Sequence, residues 1–370
     1  MNGECIKILI VNTVPTTRNG VTNVIMNYLT SIDMNGLVVD YLSLNQADQM
    51  YIDKIRLKGG RFYVLPRIPG KIVSYWTSLR RLVKDNAYDI VHIHGNSHTL
   101  VLELSAVRLA GCKVRMIHSH NTTCKYPITH KLLTPIFNLL CTDGLACGVN
   151  AGKYMFGSKP FKVLNNGVDT KRFAFNEKQR EATRKLLGWE NNHVIGHVGV
   201  FNEQKNHRFI VDIFEQLYHK DNKYRLLLVG DGSLRKVIEN KVKEKGLEDS
   251  VYFTGNTDNV EDYLDAMDLL VMPSLYEGLP LALIEQQANG LLCVLSDTIT
   301  KEVDKTGNLY FLSLNDSPAQ WANFIDDKIC DNFRKKKSIT AIEDIKRCGY
   351  DINSEAQKLK EYYLQAIENK

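Results

Sequence analysis

Continuous apolar runs separated by amphipathic segments dominate the hydrophobic pattern of the 370-residue chain. An uninterrupted apolar run is typical of a parallel strand buried on both faces, and segments with helical spacing, such as 73–86 and 208–220, lie between these runs. The pattern therefore predicts an α/β protein with parallel sheets. The predicted strands are 6–14, 37–44, 60–66, 89–95, 114–121 and 144–150, then 193–201, 224–232, 251–255, one that starts at Leu269, and 291–297.

This alternation of strands and helices occurs twice along the chain. It fills the first half and starts again at 193–201, beyond a turn marked by Asn166 and the glycine after it. Because 370 residues are many for one hydrophobic core, two domains are expected. We predict two Rossmann-like, doubly wound parallel-sheet domains that face a cleft, 1–165 and 166–345, and a helical segment, 346–370, that crosses back to the N-terminal domain.

Charge is divided unevenly between the two predicted domains. The hydrophobic fraction of 44% is that of an ordinary globular protein. Residues 1–165, however, hold 19 Lys and Arg against 9 Asp and Glu, whereas the remainder is net acidic. A basic half indicates either contact with an anionic partner, such as phospholipid or a phosphorylated acceptor, or simply a charged surface. Nothing in the pattern favours a nucleic acid.

Membrane contact is an open alternative for one predicted helix, 125–142. This helix is apolar and carries basic residues near its start, which suits either a membrane surface or packing on its own sheet. No apolar run reaches the ~18 residues that cross a bilayer, and the start of the chain lacks a basic segment with a cleavage site. We expect a cytoplasmic protein, with peripheral contact to the inner face of the cell membrane left open.

The run 269–290, LLVMPSLYEGLPLALIEQQANG, combines a buried strand, a turn and a helix. Pro280 suits the first helical position, where a missing N–H costs little. The backbone N–H groups of Gly278 and Leu279 then lie just before a helix N-terminus, which favours phosphate. Two carboxylates eight residues apart, Glu277 and Glu285, are expected to look toward the same cleft.

This element and several other motifs make the chain similar to a known family. The motifs are NGV (19–21), HSHN (118–121), NNGVD (165–169), EQKN (203–206), VGDG (229–232), VYFTG (251–255) and GYDI (349–352). With them the chain resembles the family 4 retaining glycosyltransferases of the two-domain B-type fold, in particular bacterial members that build exopolysaccharide or capsule. The resemblance implies an acceptor-binding N-terminal domain and a C-terminal domain that binds a nucleotide-sugar donor.

The resemblance also implies roles for individual residues. Glu277 resembles the carboxylate that contacts the transferred sugar, and Lys205 matches the lysine that neutralises the leaving diphosphate. His118 resembles the histidine that family members place against the donor sugar. These three are the implied catalytic residues, and Glu285 resembles the acceptor of the ribose hydroxyls. The implied donor-binding set is Gly20, His120, Asn256, Thr257, Gly278, Leu279, Pro280 and Glu285.

One position departs from the family pattern. The usual partner of the lysine is an arginine five residues earlier, and that position is Val200. Valine cannot donate to phosphate, and Arg208 is the nearest candidate replacement, so we predict reduced turnover or a substitute cation. The eight cysteines have no metal-binding spacing, and no carboxylate pair suits a metal, so the expectation is no metal and no cofactor.

The implied reaction moves a hexose-type sugar, with retention, from a nucleotide-sugar to a hydroxyl of a glycan or polyprenyl-linked acceptor. A UDP-sugar is the favoured donor, and GDP-linked donors stay open. Two alternatives remain. A non-hydrolysing sugar-nucleotide epimerase has the same two-domain architecture, and a catalytically weak nucleotide-sugar-binding protein is consistent with Val200.

Overall fold

The computed structural model describes residues 5–277, 280–329 and 333–369. The chain divides into two compact units, the first made of Met1–Gly167 with Gly349–Lys370 and the second of Val168–Cys348. The strands are β1 (Ile6–Asn12), β2 (Leu37–Leu44), β3 (Phe62–Leu65), β4 (Ile90–His94), β5 (Val114–Ser119), β6 (Asp143–Ala146), β7 (Lys162–Val163), β8 (His193–Val198), β9 (Tyr224–Val229), β10 (Val251–Gly255), β11 (Leu269–Met272), β12 (Leu292–Ser296) and β13 (Leu309–Leu312).

Helices connect the strands within each unit. They are α1 (Gly20–Ser31), α2 (Gln49–Leu57), α3 (Ile72–Asn86), α4 (Val101–Leu109), α5 (Pro127–Leu140), α6 (Val149–Phe156), α7 (Glu177–Leu187), α8 (His207–Lys220), α9 (Arg235–Glu244), α10 (Val260–Ala266), α11 (Leu281–Ala288), α12 (Pro318–Lys328), α13 (Phe333–Arg347) and α14 (Ile352–Glu368). Within the described ranges, no helix has the length and apolar character needed to cross a membrane.

The first unit is built on a seven-stranded parallel sheet in the order β3-β2-β1-β4-β5-β6-β7. Its central strands are the apolar runs of the sequence, and Ile8, Leu9 and Val11 of β1 are fully buried. The strand order reverses between β1 and β4. In an open α/β sheet the loops that follow the two strands at such a reversal form a ligand-binding crevice.

The second unit repeats this arrangement with six parallel strands in the order β10-β9-β8-β11-β12-β13. The order reverses between β8 and β11, so the loops after these two strands are the expected binding loops. The predicted class, two doubly wound parallel sheets, is thereby confirmed.

Three local expectations need correction. The segment 144–150 is not one strand, because β6 ends at Ala146 and α6 begins at Val149. The sequence pattern also missed the edge strands β7 and β13, which have only two and four residues and do not stand out from their polar surroundings. Pro280 is the N-cap of α11 rather than its first helical residue, since its ψ of 121° is extended.

The C-terminal helix α14 belongs to the first unit. Its residue Glu355 is fully buried and accepts a hydrogen bond from the backbone N–H of Asn165 at 2.8 Å. The Asn165 side chain in turn donates to the carbonyl of Gly349 at 2.9 Å. These bonds tie the returning segment to the end of the first sheet.

Candidate active site

An ion pair lies where the strand order of the second sheet reverses. The ammonium of Lys205 donates to Oε1 of Glu277 at 2.6 Å, and the two side chains are only 14% and 7% exposed. Lys205 ends a single 3₁₀ turn, Glu203–Lys205, that follows β8, whereas Glu277 follows β11. The structure thus brings together two predicted catalytic residues that are 72 positions apart in the sequence.

Gln204 holds the two loops together and was missed in the sequence. Its side-chain amide donates to the carbonyl of Tyr276 at 2.9 Å and to Oε2 of Glu277 at 3.2 Å. Its backbone carbonyl accepts from the N–H of Leu275 at 2.8 Å. The sequence did offer one signal for Gln204, its position beside Lys205 in the EQKN motif. Gln204 therefore fixes the orientation of the Glu277 carboxylate.

A glycine allows the loop after β9 to pack on the loop after β8. Gly230 has a φ of +130°, and a Cβ at this position would lie 2.1 Å from the carbonyl oxygen of Gly199. Only glycine fits such an approach. The close packing keeps both loops at the carboxyl edge of the sheet, beside Lys205.

Glu285 lies in the second turn of α11, and its carboxyl group has a perturbed pKa. Burial raises the pKa of Glu285 to about 7, because the loss of solvation outweighs the attraction of Arg172, and the nearby Glu261 raises it further. A carboxyl group with this pKa changes its charge near neutral pH. The predicted contacts of Gly278 and Leu279 lie outside the described residues.

Arg172 is a second residue that sequence reasoning missed. Its guanidinium donates to Oε2 of Glu261 at 2.8 Å and to the carbonyl of Asp258. It thereby holds the loop that follows β10, where Asn256 is exposed and Thr257 is half-buried. Arg172 stands three residues after the NNGVD motif, but nothing in that spacing indicated that it lies near Glu285.

Histidines occupy the carboxyl end of the sheet in the first unit. His118, in β5, is 1% exposed, and His120 accepts from or donates to Nδ1 of His94 through its own Nε2 at 2.8 Å. Burial lowers the pKa of His118 well below its usual value and that of His120 to about 4. Both rings are therefore neutral at physiological pH.

Gly20, also in the first unit, is the first residue of α1. The side chain of Asn19 caps this helix by accepting from the N–H of Thr22 at 3.0 Å. A Cβ on Gly20 would have no heavy atom within 4 Å, so open space lies beside its backbone. This loop follows β1, one of the two strands at the reversal of the first sheet.

Val200 lies at the surface just after β8, with 53% of its area exposed. Arg208, the candidate replacement for the expected arginine, is the second residue of α8 and is exposed as well. Glu277 pairs with Lys205. The role of Arg208 as a substitute for the expected phosphate-binding arginine stays a prediction.

Comparisons with known proteins decide the family. The protein-family model "Glycosyltransferase Family 4" matches residues 18–147, and the family model "Glycosyl transferases group 1" matches residues 192–331. The "Putative glycosyltransferase EpsF" of Bacillus subtilis (strain 168) is 32% identical over 361 residues, which cover 94% of this chain and 93% of that protein. This chain belongs to the family 4 glycosyltransferases. The predicted enzyme class is thereby confirmed.

Other comparisons agree with this assignment. The glycosyltransferase is 31% identical over 320 residues, 79% of either chain, to an Escherichia coli UDP-Gal:alpha-D-GlcNAc-diphosphoundecaprenol alpha-1,3-galactosyltransferase. Among solved structures, Anabaena Alr3699/HepE in complex with UDP and glucose matches with a TM-score of 0.77 at 17% identity, over 97% of this chain and 99% of that one. A glycosyltransferase from Rickettsia africae ESF-5 matches with a TM-score of 0.79 at 16% identity, over 99% and 100%. The B-type fold is confirmed.

Proposed function

We propose that this glycosyltransferase moves a hexose-type sugar from a UDP-sugar to a hydroxyl of a glycan or polyprenyl-linked acceptor during bacterial exopolysaccharide or capsule synthesis. The observation that carries the proposal is the Lys205–Glu277 pair at the strand-order reversal of the second sheet. The names of the relatives support the substrates: one acts on a diphosphoundecaprenol acceptor, and another is a capsular polysaccharide biosynthesis glycosyltransferase from Staphylococcus aureus, 27% identical over 302 residues.

The donor is proposed to bind the second unit at the carboxyl edge of its sheet, where Lys205 and Glu277 lie. Lys205 faces the diphosphate, and Glu277 accepts hydrogen bonds from the hydroxyls of the transferred sugar. Glu285 accepts hydrogen bonds from the ribose hydroxyls, because an ionised carboxylate can hold a diol with both oxygens. Asn256 and Thr257 lie by the base. The acceptor is proposed to bind the first unit, near Gly20, His118 and His120.

The proposed chemistry retains the anomeric configuration. The acceptor oxygen attacks the anomeric carbon from the face that the diphosphate leaves, the bond from that carbon to phosphate oxygen breaks, and the hydroxyl proton passes to the departing phosphate oxygen. Lys205 stabilises the negative charge that grows on the diphosphate. The neutral ring of His118 hydrogen-bonds a hydroxyl of the sugar. Because a lysine and a helix N-terminus provide the positive charge, this proposal needs no metal or cofactor.

A donor panel tests the proposed function. We expect a UDP-sugar, rather than GDP- or ADP-sugars, to raise the melting temperature, because a ligand that binds only the folded state stabilises it. With a polyprenyl-diphosphate-linked sugar as acceptor, UDP should be released in proportion to the glycosylated product. An epimerised donor formed without acceptor would instead identify an epimerase. Donor binding without transfer to any acceptor would identify a silent binding protein.

We also propose that α5 contacts the membrane through an apolar stripe, defined as Ile128, Leu132, Ile136 and Leu139. These side chains lie three or four residues apart on one helical face and are 76%, 74%, 50% and 69% exposed. The segment 120–142 contains no acidic residue, and Lys125 and Lys131 belong to it. Exposed apolar positions flanked by lysines suit the interface of an anionic bilayer.

Replacement of Leu132 and Leu139 by serine should reduce vesicle binding about tenfold or more, since each leucine contributes roughly 1.5–3 kcal/mol when buried. Flotation with vesicles of phosphatidylcholine and phosphatidylglycerol measures the bound fraction. Leu186→Ser, at a leucine of α7 that is 81% exposed, is the matched control and should bind as the parent does. Equal flotation of the double variant and the parent would contradict the membrane role of α5.

A further inference from the structure

Four histidines form an array on one face of the first sheet. His92 and His94 alternate along β4, so their side chains share a face. His118 is the parallel register partner of His94, and His120 follows two residues later on the same side. The rings of neighbouring members are 4.3–5.5 Å apart between centroids.

Most nitrogens of this array are buried without a hydrogen-bond partner. In the described part of the chain, Nε2 of His92, Nε2 of His94 and both ring nitrogens of His118 have none. These three residues are 1%, 3% and 1% exposed. Unpaired polar atoms at such depth are uncommon, because each forfeits its solvation without replacement. Several of them in one place point to a group that these nitrogens bind.

The nitrogens lie close enough together for small ring movements to bring them to an ion. One ligand atom from each of His92, His94 and His118 lies within 4.8 Å of the others. A tetrahedral zinc ion with bonds of about 2.0–2.1 Å needs nitrogen atoms roughly 3.4 Å apart. The rings must therefore approach by no more than about 1.5 Å, which small rotations of the soft χ2 torsion can supply.

The hydrogen bonds of His92 and His94 are compatible with metal-binding tautomers. Nδ1 of His92 lies 2.7 Å from the hydroxyl of Tyr363, and Nδ1 of His94 lies 2.8 Å from Nε2 of His120. If each Nδ1–H donates in these bonds, each Nε2 keeps a lone pair that can bind an ion. Partners of this kind orient metal-ligating histidines in proteins. Burial also keeps the rings neutral, since it lowers the pKa of His92 to about 3.

We infer that His92, His94 and His118 form a binding site for a divalent transition metal of the zinc class. Three neutral imidazoles suit zinc, and also cobalt, nickel and copper, with water or another small ligand at the fourth position. The site would join β4 to β5 and, through Tyr363, to α14. It differs from a metal at the donor diphosphate, and it shares His118 with the site proposed for the transferred sugar.

Metal analysis of the tag-free full chain tests the site. Protein stripped with a chelator, loaded with zinc chloride and desalted should retain about one zinc per chain. Titration with cobalt(II) should give the strong visible absorption bands of a tetrahedral ion. Zinc should raise the melting temperature by several degrees. A wild-type chain that retains no zinc and gives no tetrahedral cobalt spectrum would overturn the inference.

Variants locate the ion. His92→Phe and His94→Phe should each lose the zinc and the cobalt spectrum, whereas His219→Ala, at an exposed histidine of α8, should keep both. Tyr363→Phe keeps all three ligands but removes an orienting oxygen, and it should weaken binding about 10–100-fold. Circular dichroism checks folding. Full zinc in a folded His94→Phe would refute the site. If the two phenylalanine variants do not fold, Tyr363→Phe decides, and unchanged zinc affinity in that variant would refute the site.

Discussion

Replacement of Lys205 by alanine should lower turnover about 100- to 1,000-fold, the usual loss when one group that stabilises developing negative charge is removed. In the proposed reaction this ammonium faces the diphosphate as its charge grows, and Val200 supplies no second cation nearby. The measurement is the rate of UDP release at saturating donor and acceptor. A rate within about threefold of the parent would remove Lys205 from the catalytic site.

One control variant separates the loss of catalysis from the loss of an ion pair, and a second variant tests the missing cation. Lys220 forms a similarly short ion pair, 2.7 Å from Asp326, elsewhere in the second unit, so Lys220→Ala should lose an ion pair but keep the turnover. Val200→Arg restores the cation that the family pattern expects and should raise turnover or donor affinity. If Val200→Arg changes neither quantity, the hypothesis of a missing cation is wrong.

Glu285→Gln should weaken donor binding about 10- to 100-fold and, at the same time, stabilise the free protein at alkaline pH. Hydrogen bonds to a charged group contribute roughly 1.5–3 kcal/mol, which explains the loss of affinity. Isothermal titration calorimetry with the UDP-sugar at pH 8 measures it. The parent should also lose affinity as pH falls through 7, since the ribose hydroxyls need an acceptor, whereas the glutamine variant should not.

The stabilisation follows from the raised pKa of Glu285. The pKa is 4.5 for an ordinary glutamate and about 7 in the folded protein, so between these values the unfolded chain binds fewer protons than the native one. Stability of the parent therefore falls as pH rises through this window, by about 3 kcal/mol in total. Glutamine removes this penalty, and its advantage in melting temperature should grow from pH 5 to pH 8.

A surface glutamate provides the control for this comparison. Glu343 has a side chain that is 75% exposed, and Glu343→Gln should follow the parent at every pH. An advantage of Glu285→Gln that does not change with pH would show that ionisation of Glu285 does not oppose folding.

Much of the fold was predictable because a buried parallel strand leaves a continuous apolar run. The two sheets, and the placement of Lys205 and Glu277 after two such strands, followed from those runs together with the family motifs. Gln204 was not found, because its role depends on a contact between loops more than 70 residues apart. The proximity of Arg172 to Glu285 was hidden for the same reason.

Local backbone geometry was a second limit on prediction from the sequence. The sequence marks Pro280 as suited to a helix start, but whether a proline is the cap or the first helical residue depends on one ψ angle. The apolar face of α5 illustrates a third limit. A sequence shows that a helix has an apolar side, and only the packing shows that Leu132 and Leu139 are left uncovered.

The place of α14 in the first unit has a consequence for synthesis. The ribosome completes the whole of Val168–Cys348 before it makes the helix that finishes the first unit. Until then the backbone N–H of Asn165 lacks Glu355, and His92 lacks the hydroxyl of Tyr363. Of the two units, the one whose translation begins first is therefore the last to be completed. Loss of α14 would damage this first unit rather than the second unit, which directly precedes α14 in the sequence.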